Sequence, residues 1–172
     1  EMILTDLLLE RETDPQEIEG ILFRQLDDAF ATILRQVYFA IFERDAHEKI
    51  AKDASVDELS GLYLANLKEE FGEAVELSDE FKYEWVSIPH IYGTPFYVYA
   101  YAFGQLLVFA LYKRYKEEGE SFKPKYLRIL SAGGSVAPVK LLAEVGIDVT
   151  QVEFWQGGYD IIADMVRRLE SL

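Results

Sequence analysis

One segment of the chain, Ile88–Tyr101, concentrates side chains that could act on a carbonyl group. It holds one of the two histidines and four of the eleven tyrosines, beside two prolines and a glycine. Tyr97 and Tyr101 are four residues apart, so a helix beginning at Pro95 would place both phenols on one face. With the imidazole of His90 they would form a set of hydrogen-bond donors suited to a polarised carbonyl or its oxyanion. The alternative is a tyrosine-rich helix whose hydroxyls only satisfy backbone groups.

Two other motifs resemble binding sites but have simpler explanations. His47-Glu48 begins like the zinc-binding pattern H-E-x-x-H, but Ala51 stands where the second histidine would be. We therefore predict that His47 is a solvated residue near a helix end and that the chain holds no metal ligands. Gly133-Gly134 lacks the lysine and the spacing of a phosphate-binding loop, so this pair predicts the end of a helix.

The composition indicates a packed globular domain and excludes several classes of partner. Half of the 172 residues are hydrophobic, which is enough for a substantial core. The net charge of -14 argues against nucleic acid and anionic membrane surfaces, because both bind clustered Lys and Arg. The longest apolar run, near residues 100–112, is too short to span a bilayer. The chain has no cysteine, which excludes thiol chemistry and is compatible with the cytoplasmic location that we predict.

The elements that must position the segment Ile88–Tyr101 are predicted to be helices, in an all-α multi-helix bundle. Apolar residues at helical spacing indicate one long helix from Pro15 to about Lys52, with a break near Arg44 left open. Capping boxes at Ser55-x-x-Glu58 and Thr150-x-x-Glu153 predict two further helix starts. Other helices are predicted from Pro95 to Glu118, from Pro124 to Gly133 and from Ser135 to Gly146.

The chain opens in the middle of a helical pattern. Glu1–Glu10 is apolar at helical spacing, and no N-cap residue precedes it. We therefore expect the sequence to be a fragment of a longer protein.

Several segments together resemble the C-terminal part of a known enzyme family. The similarity covers essentially the whole length, through Glu1–Leu9, Arg35–Glu43, Ile88–Tyr101, Leu130–Ser135 and Phe154–Tyr159. On these residues the chain is similar to the oligoendopeptidase F type of the M3 family of zinc metallopeptidases. The resemblance implies that residues 1–172 are the C-terminal portion of a helical catalytic domain that encloses a deep channel and cleaves short oligopeptides.

The resemblance also implies where the metal and the substrate contacts would lie. In that family an H-E-x-x-H helix and a glutamate on the following helix bind zinc. These ligands would lie upstream of this chain, and Glu1 resembles a later glutamate that does not bind the metal. By the same similarity His90 would contact the substrate backbone near the scissile bond, Tyr97 would hydrogen-bond the oxyanion, and Tyr101 would hold the substrate. The spacing from the histidine to the tyrosines varies between branches of the family, so Tyr99 is a further substrate-binding candidate.

Two functions from different classes are compatible with these observations. In the first, the fragment supplies channel wall and substrate contacts to a metalloendopeptidase and is inactive alone. Its partners would then be the oligopeptide substrate and the missing N-terminal part of the enzyme, and bare apolar surface would favour self-association. In the second, the chain is a non-catalytic helical peptide-binding or scaffold module that uses its aromatic groove.

Overall fold

The computed structural model of the chain describes residues 2–172, and its regular elements are helical. The α-helices are α1 (Met2–Arg11), α2 (Pro15–Ala29), α3 (Arg35–Ile50), α4 (Val56–Phe71), α5 (Pro89–Gly93), α6 (Tyr99–Glu118), α7 (Lys123–Ala132), α8 (Pro138–Glu144) and α9 (Val152–Glu170). A π-helical turn, Phe30–Leu34, and the 3₁₀ helices Asp79–Ser87 and Gly119–Phe122 complete the set. No β-strand occurs within residues 2–172, so the all-α prediction is confirmed. The prediction for Glu1 lies outside the described residues.

The long helix predicted from Pro15 is present as the consecutive elements α2, the π-helical turn Phe30–Leu34 and α3, and it ends at Ile50. The break near Arg44 that the sequence left open does not occur, because Arg44 lies inside α3. The irregularity lies instead at the π-helical turn, where the backbone accommodates an extra residue. The spacing of apolar residues did not predict this turn, because the helical spacing continues in α2 before the extra residue and in α3 after it.

The helix that carries Tyr101 begins at Tyr99, so the prediction of a helix starting at Pro95 is wrong. Phe96 has a φ of 59°, which lies in the left-handed region and interrupts any helix that begins before it. Tyr97 therefore occupies the turn that precedes α6, where its carbonyl oxygen accepts a hydrogen bond from Ala100 N–H at 2.9 Å. The two phenols do not share a helix face.

The two predicted capping boxes have opposite outcomes. At the start of α4, Ser55 Oγ accepts from Glu58 N–H at 3.3 Å and the Glu58 carboxylate accepts from Ser55 N–H at 2.7 Å. At the start of α9 the predicted box is wrong, and the N-cap residue is Gln151. Thr150 instead donates its N–H and its hydroxyl to Asp148 Oδ1, at 2.9 and 2.6 Å. The carboxylate of an aspartate two residues before Thr150 accepts these bonds in a local turn, which competes with the capping box.

The chain divides into two compact units. The first, which we call the terminal unit, comprises the described residues through Ala29 together with Gly104–Leu172. Within it α2 packs against α9, and Gly158 allows α9 to approach α6, since a Cβ there would lie 3.0 Å from the Leu106 carbonyl oxygen. Its core is an apolar cluster made by Ala110, Leu111, Phe122, Leu142, Val145, Ile147 and Phe154.

The second unit, Phe30–Phe103, is called the central unit and contains the whole segment Ile88–Tyr101. Within it α3 packs on α4, and α4 packs on the 3₁₀ helix Asp79–Ser87. Its core is formed by Phe42, Ala46, Leu59, Tyr63, Leu67 and Ile88. Because Ile88 is buried in this core, the chain is anchored two residues before His90.

Candidate functional site

His90, Tyr97 and Tyr101 lie side by side in the central unit, and we call them the His–Tyr cluster. Nε2 of His90 lies 3.1 Å from the Tyr101 hydroxyl oxygen, which is hydrogen-bond distance. The rings of His90 and Tyr97 are parallel, with centroids 6.5 Å apart. The Tyr101 ring stands perpendicular to both, with centroid distances of 5.7 Å to His90 and 5.5 Å to Tyr97. The structure therefore brings together the three side chains that the sequence singled out, although by a turn and not by a shared helix face.

The His–Tyr cluster is accessible to a ligand. Tyr97 is 49% exposed, Tyr101 is 38% exposed and His90 is half-buried. The hydroxyl of Tyr101 meets an imidazole and not a backbone group. An aromatic residue that serves only as core would be buried, with its hydroxyl satisfied inside the protein. The geometry thus favours a donor set over a purely structural tyrosine-rich helix. Tyr99, the first residue of α6, is 61% exposed.

The backbone that carries His90 is held by packing and by proline. Pro89 occupies the first turn of α5, where the missing N–H would have no helical partner in any case. Just before it, Trp85 packs against Phe42, with ring centroids 5.9 Å apart. Trp85 Nε1 also donates a hydrogen bond to the buried Ser60 Oγ at 3.3 Å. The 3₁₀ helix Asp79–Ser87 is therefore fixed to α4 immediately upstream of the cluster.

A network of charged groups around Arg35 joins three elements of the central unit. The guanidinium of Arg35 on α3 donates to Glu70 on α4 at 2.8 Å and to Glu84 on the 3₁₀ helix at 2.7 Å. The Tyr63 hydroxyl donates to the same Glu84 carboxylate at 2.9 Å. The Arg35 guanidinium also lies 4.5 Å from the Phe39 ring centroid, within cation–π distance. This network, which sequence reasoning did not find, holds the 3₁₀ helix that leads to His90.

Burial and charge shift the pKa values in this network in directions that agree with the geometry. Burial raises the pKa of Glu70 above its ordinary value, against the opposing charge of Arg35. Burial and then the hydrogen bond to Glu84 raise the pKa of the Tyr63 hydroxyl, which stays protonated and can donate. Burial alone would lower the pKa of Arg35, but its hydrogen bond to Glu84 and the neighbouring charges raise it overall.

The left-handed turn before Tyr97 is bonded to a buried carboxylate on α3. The backbone N–H of Phe96 donates to Glu43 Oε1 at 2.8 Å, and Glu43 is only 1% exposed. The Phe96 ring lies against His47, one helical turn after Glu43, with centroids 4.7 Å apart. Sequence reasoning missed Glu43. The available signal was an acidic residue between the apolar positions Phe42 and Ala46 of an amphipathic helix.

The described residues do not provide a ligand set for a metal. Within residues 2–172 no group of three or more His, Asp or Glu side chains is arranged to hold a metal ion. His47 is exposed near the end of α3, as predicted. Gly133, with a φ of 50°, ends α7, which confirms a helix stop at this glycine pair. Among the helices of residues 2–172, none combines the length and the hydropathy needed to cross a bilayer.

The sequence and the fold of the chain have counterparts among known proteins. The model of peptidase family M3 matches residues 1–161. The chain is 38% identical over 153 residues to an oligoendopeptidase F homolog of Borreliella burgdorferi, and the aligned region covers 88% of this chain and 26% of that protein. It is 33% identical over 177 residues to the plasmid oligoendopeptidase F of Lactococcus lactis subsp. cremoris, and the aligned region covers 100% of this chain and 29% of that protein.

A solved structure gives the same result in three dimensions. The crystal structure of oligoendopeptidase-F from Enterococcus faecium matches with a TM-score of 0.89 at 33% identity, covering 98% of this chain and 33% of that one. The chain therefore belongs to peptidase family M3, and the resemblance read from its sequence is confirmed. It spans between a quarter and a third of the length of these relatives.

Proposed function

We propose that this chain is the C-terminal portion of the catalytic domain of an oligoendopeptidase, which as a whole hydrolyses peptide bonds in short oligopeptides in the cytoplasm. Family membership and the names of the relatives support this class of activity. The observation that carries the proposal is the accessible convergence of His90, Tyr97 and Tyr101. An imidazole and two phenols that meet at a surface can act on one carbonyl group together.

The three side chains take different roles in this proposal. Tyr97 donates a hydrogen bond to the oxygen that becomes negative as the peptide carbonyl is attacked. A donor aimed at developing charge stabilises the transition state more than the ground state. His90, held by its contact with the Tyr101 hydroxyl, binds the substrate backbone beside the scissile bond. Tyr101 and the more exposed Tyr99 hold the substrate chain.

The intact enzyme is proposed to use zinc, which polarises a carbonyl and activates water. The described residues of this chain do not fit the role of its ligands, since no suitable group of donors occurs among them. We propose that the ligands belong to the part of the enzyme outside this sequence. The chain by itself is then expected to be inactive.

The proposal is tested by Tyr97→Phe in the full-length peptidase. We expect kcat on a quenched oligopeptide to fall by about 10²–10³-fold, the usual effect of removing one oxyanion donor. Zinc content and the melting temperature should not change. Tyr83→Phe is the matched control, because Tyr83 is a similarly exposed tyrosine of the central unit outside the cluster. Wild-type turnover in Tyr97→Phe would remove Tyr97 from the mechanism, and peptide binding without hydrolysis by the intact protein would favour a binding module.

The terminal unit presents apolar surface that we assign to the rest of the same enzyme. This unit contains an apolar cavity of about 360 Å³. Residues at the start of α1 line one side of it, and residues of α6 and α7, among them Val108, Tyr126 and Leu127, line the other. Relatives are three to four times longer than this chain, so much of their structure is available to cover such a face. Large bare apolar patches are rare on monomers. The isolated chain is therefore expected to self-associate, and a monomer of unchanged mass at rising concentration in light scattering would contradict this.

A further inference from the structure

Glu43 is the least expected charged group of the central unit. Its side chain is almost completely buried on α3, yet it reaches across to the backbone of the segment that carries the His–Tyr cluster. Its Oε1 accepts the N–H of Phe96 at 2.8 Å. We propose that Glu43 is a positioning residue of the peptidase, which holds the turn at Phe96 so that the phenol of Tyr97 stands in its place. This inference rests on the role proposed above for Tyr97.

The turn at Phe96 needs a partner to hold it. The φ of 59° at Phe96 is a conformation that residues with a Cβ adopt only at a cost, and aromatic residues rarely do. Such strain persists where the surrounding structure compensates for it, often at functional sites. A hydrogen bond from a backbone N–H to a carboxylate is charge-assisted and therefore among the stronger ones. The contact with Glu43 is a compensation of this kind.

The position of Tyr97 depends directly on this turn. Tyr97 is the next residue, and it precedes the first residue of α6 by only two positions. Its N–H donates to the Thr94 carbonyl at 3.2 Å, so the backbone folds back on itself around Phe96. If Phe96 moved to an ordinary negative φ, the chain direction at Tyr97 would change and its ring would leave His90 and Tyr101. A displacement of about 1 Å at a reacting centre can cost about 10²-fold in rate.

Stability alone does not explain a carboxylate at this position. A buried charge is unfavourable unless its oxygens are satisfied. Within residues 2–172 the second oxygen, Glu43 Oε2, has no hydrogen-bond partner. An apolar side chain of similar volume would avoid that cost, whereas it could not accept the Phe96 N–H. The feature that Glu43 supplies and an apolar residue cannot is this single bond.

The experiment compares two substitutions in the full-length peptidase. Glu43→Met keeps the volume but removes the acceptor, and Glu43→Gln keeps a carbonyl oxygen that can accept the same N–H. Asn66→Leu is the control, because Asn66 is a buried polar residue of the central unit whose side chain bonds the Tyr38 carbonyl oxygen on α3, outside both the Arg35 network and this turn. The readouts are kcat and KM on a quenched oligopeptide, melting temperature, and amide hydrogen exchange resolved at Phe96.

We expect the Phe96 amide to be protected in the wild-type enzyme and in Glu43→Gln, and to exchange rapidly in Glu43→Met. The Met variant should lose kcat by up to about 10²-fold with a smaller change in KM. Its loss should not exceed that of Tyr97→Phe. In the Tyr97→Phe background the same substitution should cause little further loss, because two changes that act through one group are not additive.

Each contrary result has one meaning. An unprotected Phe96 amide in the folded wild-type enzyme overturns the inference without the need for any variant. Equal loss of kcat from Glu43→Met with and without Tyr97 overturns it as well, since Glu43 would then act through another group. If Tyr97→Phe keeps full activity, the proposed function fails, while rapid exchange at Phe96 in Glu43→Met still supports the hold of Glu43 on this turn.

Discussion

Arg35 offers the sharpest test of how the central unit is held together. We predict that Arg35→Met strongly destabilises this unit, although methionine keeps much of the volume and the helix propensity of arginine. The reason is that the substitution removes the cation that both Glu70 and Glu84 bond. Removing one partner of a buried ion pair leaves the other as an uncompensated charge.

The magnitude follows from the exposure of the three side chains. Arg35 is 16% exposed and Glu70 is 0% exposed, whereas Glu84 is 33% exposed. Breaking a buried pair from one side costs about 3–5 kcal/mol. Because Glu84 can be rehydrated and Glu70 cannot, we expect about 3 kcal/mol, the lower end of this range. Most of that cost should come from Glu70.

The assay is urea unfolding at neutral pH, followed by tryptophan fluorescence. The chain has two tryptophans, Trp85 in the central unit and Trp155 in the terminal unit. A Trp155→Phe background therefore leaves one reporter, next to the Arg35 network. Arg44→Met is the matched control, since Arg44 lies on the same helix and pairs at the surface with Asp45. Such exposed pairs contribute roughly 0–1 kcal/mol.

A double variant separates the buried charge from other effects. In Arg35→Met combined with Glu70→Gln, no uncompensated carboxylate remains at position 70, so more than half of the lost stability should return. Equal losses in Arg35→Met and Arg44→Met would refute the reasoning. So would a double variant that is less stable than Arg35→Met, because the destabilisation would then not come from the buried charge of Glu70.

Two further predictions concern the pH dependence of stability and the packing of α9 against α6. Burial raises the pKa of the Glu70 carboxyl in the folded state, so the folded state binds a proton at Glu70 more tightly than the unfolded state does. The stability that this proton contributes is complete below the pKa of the unfolded state and is lost as the pH rises through the pKa of the folded state. Urea midpoints from about pH 4 to about pH 8 should show this fall, and a Glu70→Gln variant with the same slope would exclude Glu70 as its cause. Gly158→Ala should destabilise the terminal unit by about 1–3 kcal/mol, because the new Cβ would lie 3.0 Å from the Leu106 carbonyl oxygen. Gly157→Ala should be neutral or stabilising by up to about 1 kcal/mol, since its Cβ would lie 3.4 Å from the flexible Lys113 side chain and 3.9 Å from the Ala110 backbone. Equal unfolding midpoints for the two variants would contradict this.

Local signals predicted the parts of the fold that depend on a few adjacent residues. The capping box at Ser55, the helix stop at Gly133 and the long helix from Pro15 are set by side chains and backbone groups within one or two turns. The capping box predicted at Thr150 failed for a related reason. Asp148 lies close enough to compete for the same donors, and residue type alone does not decide which local partner wins.

The composition of the segment Ile88–Tyr101 by itself indicated His90, Tyr97 and Tyr101 as candidate functional residues. Few other groups of neighbouring side chains in the sequence could donate hydrogen bonds to a carbonyl group. Only the tertiary structure decided how they meet. Phe96 adopts its left-handed conformation against a carboxylate from α3, a contact that spans 53 residues of sequence. The helix therefore begins at Tyr99, and the rings converge through a turn. Long-range bonds of this kind leave no periodic pattern in a sequence, since their energy depends on packing and burial that arise only when the elements assemble.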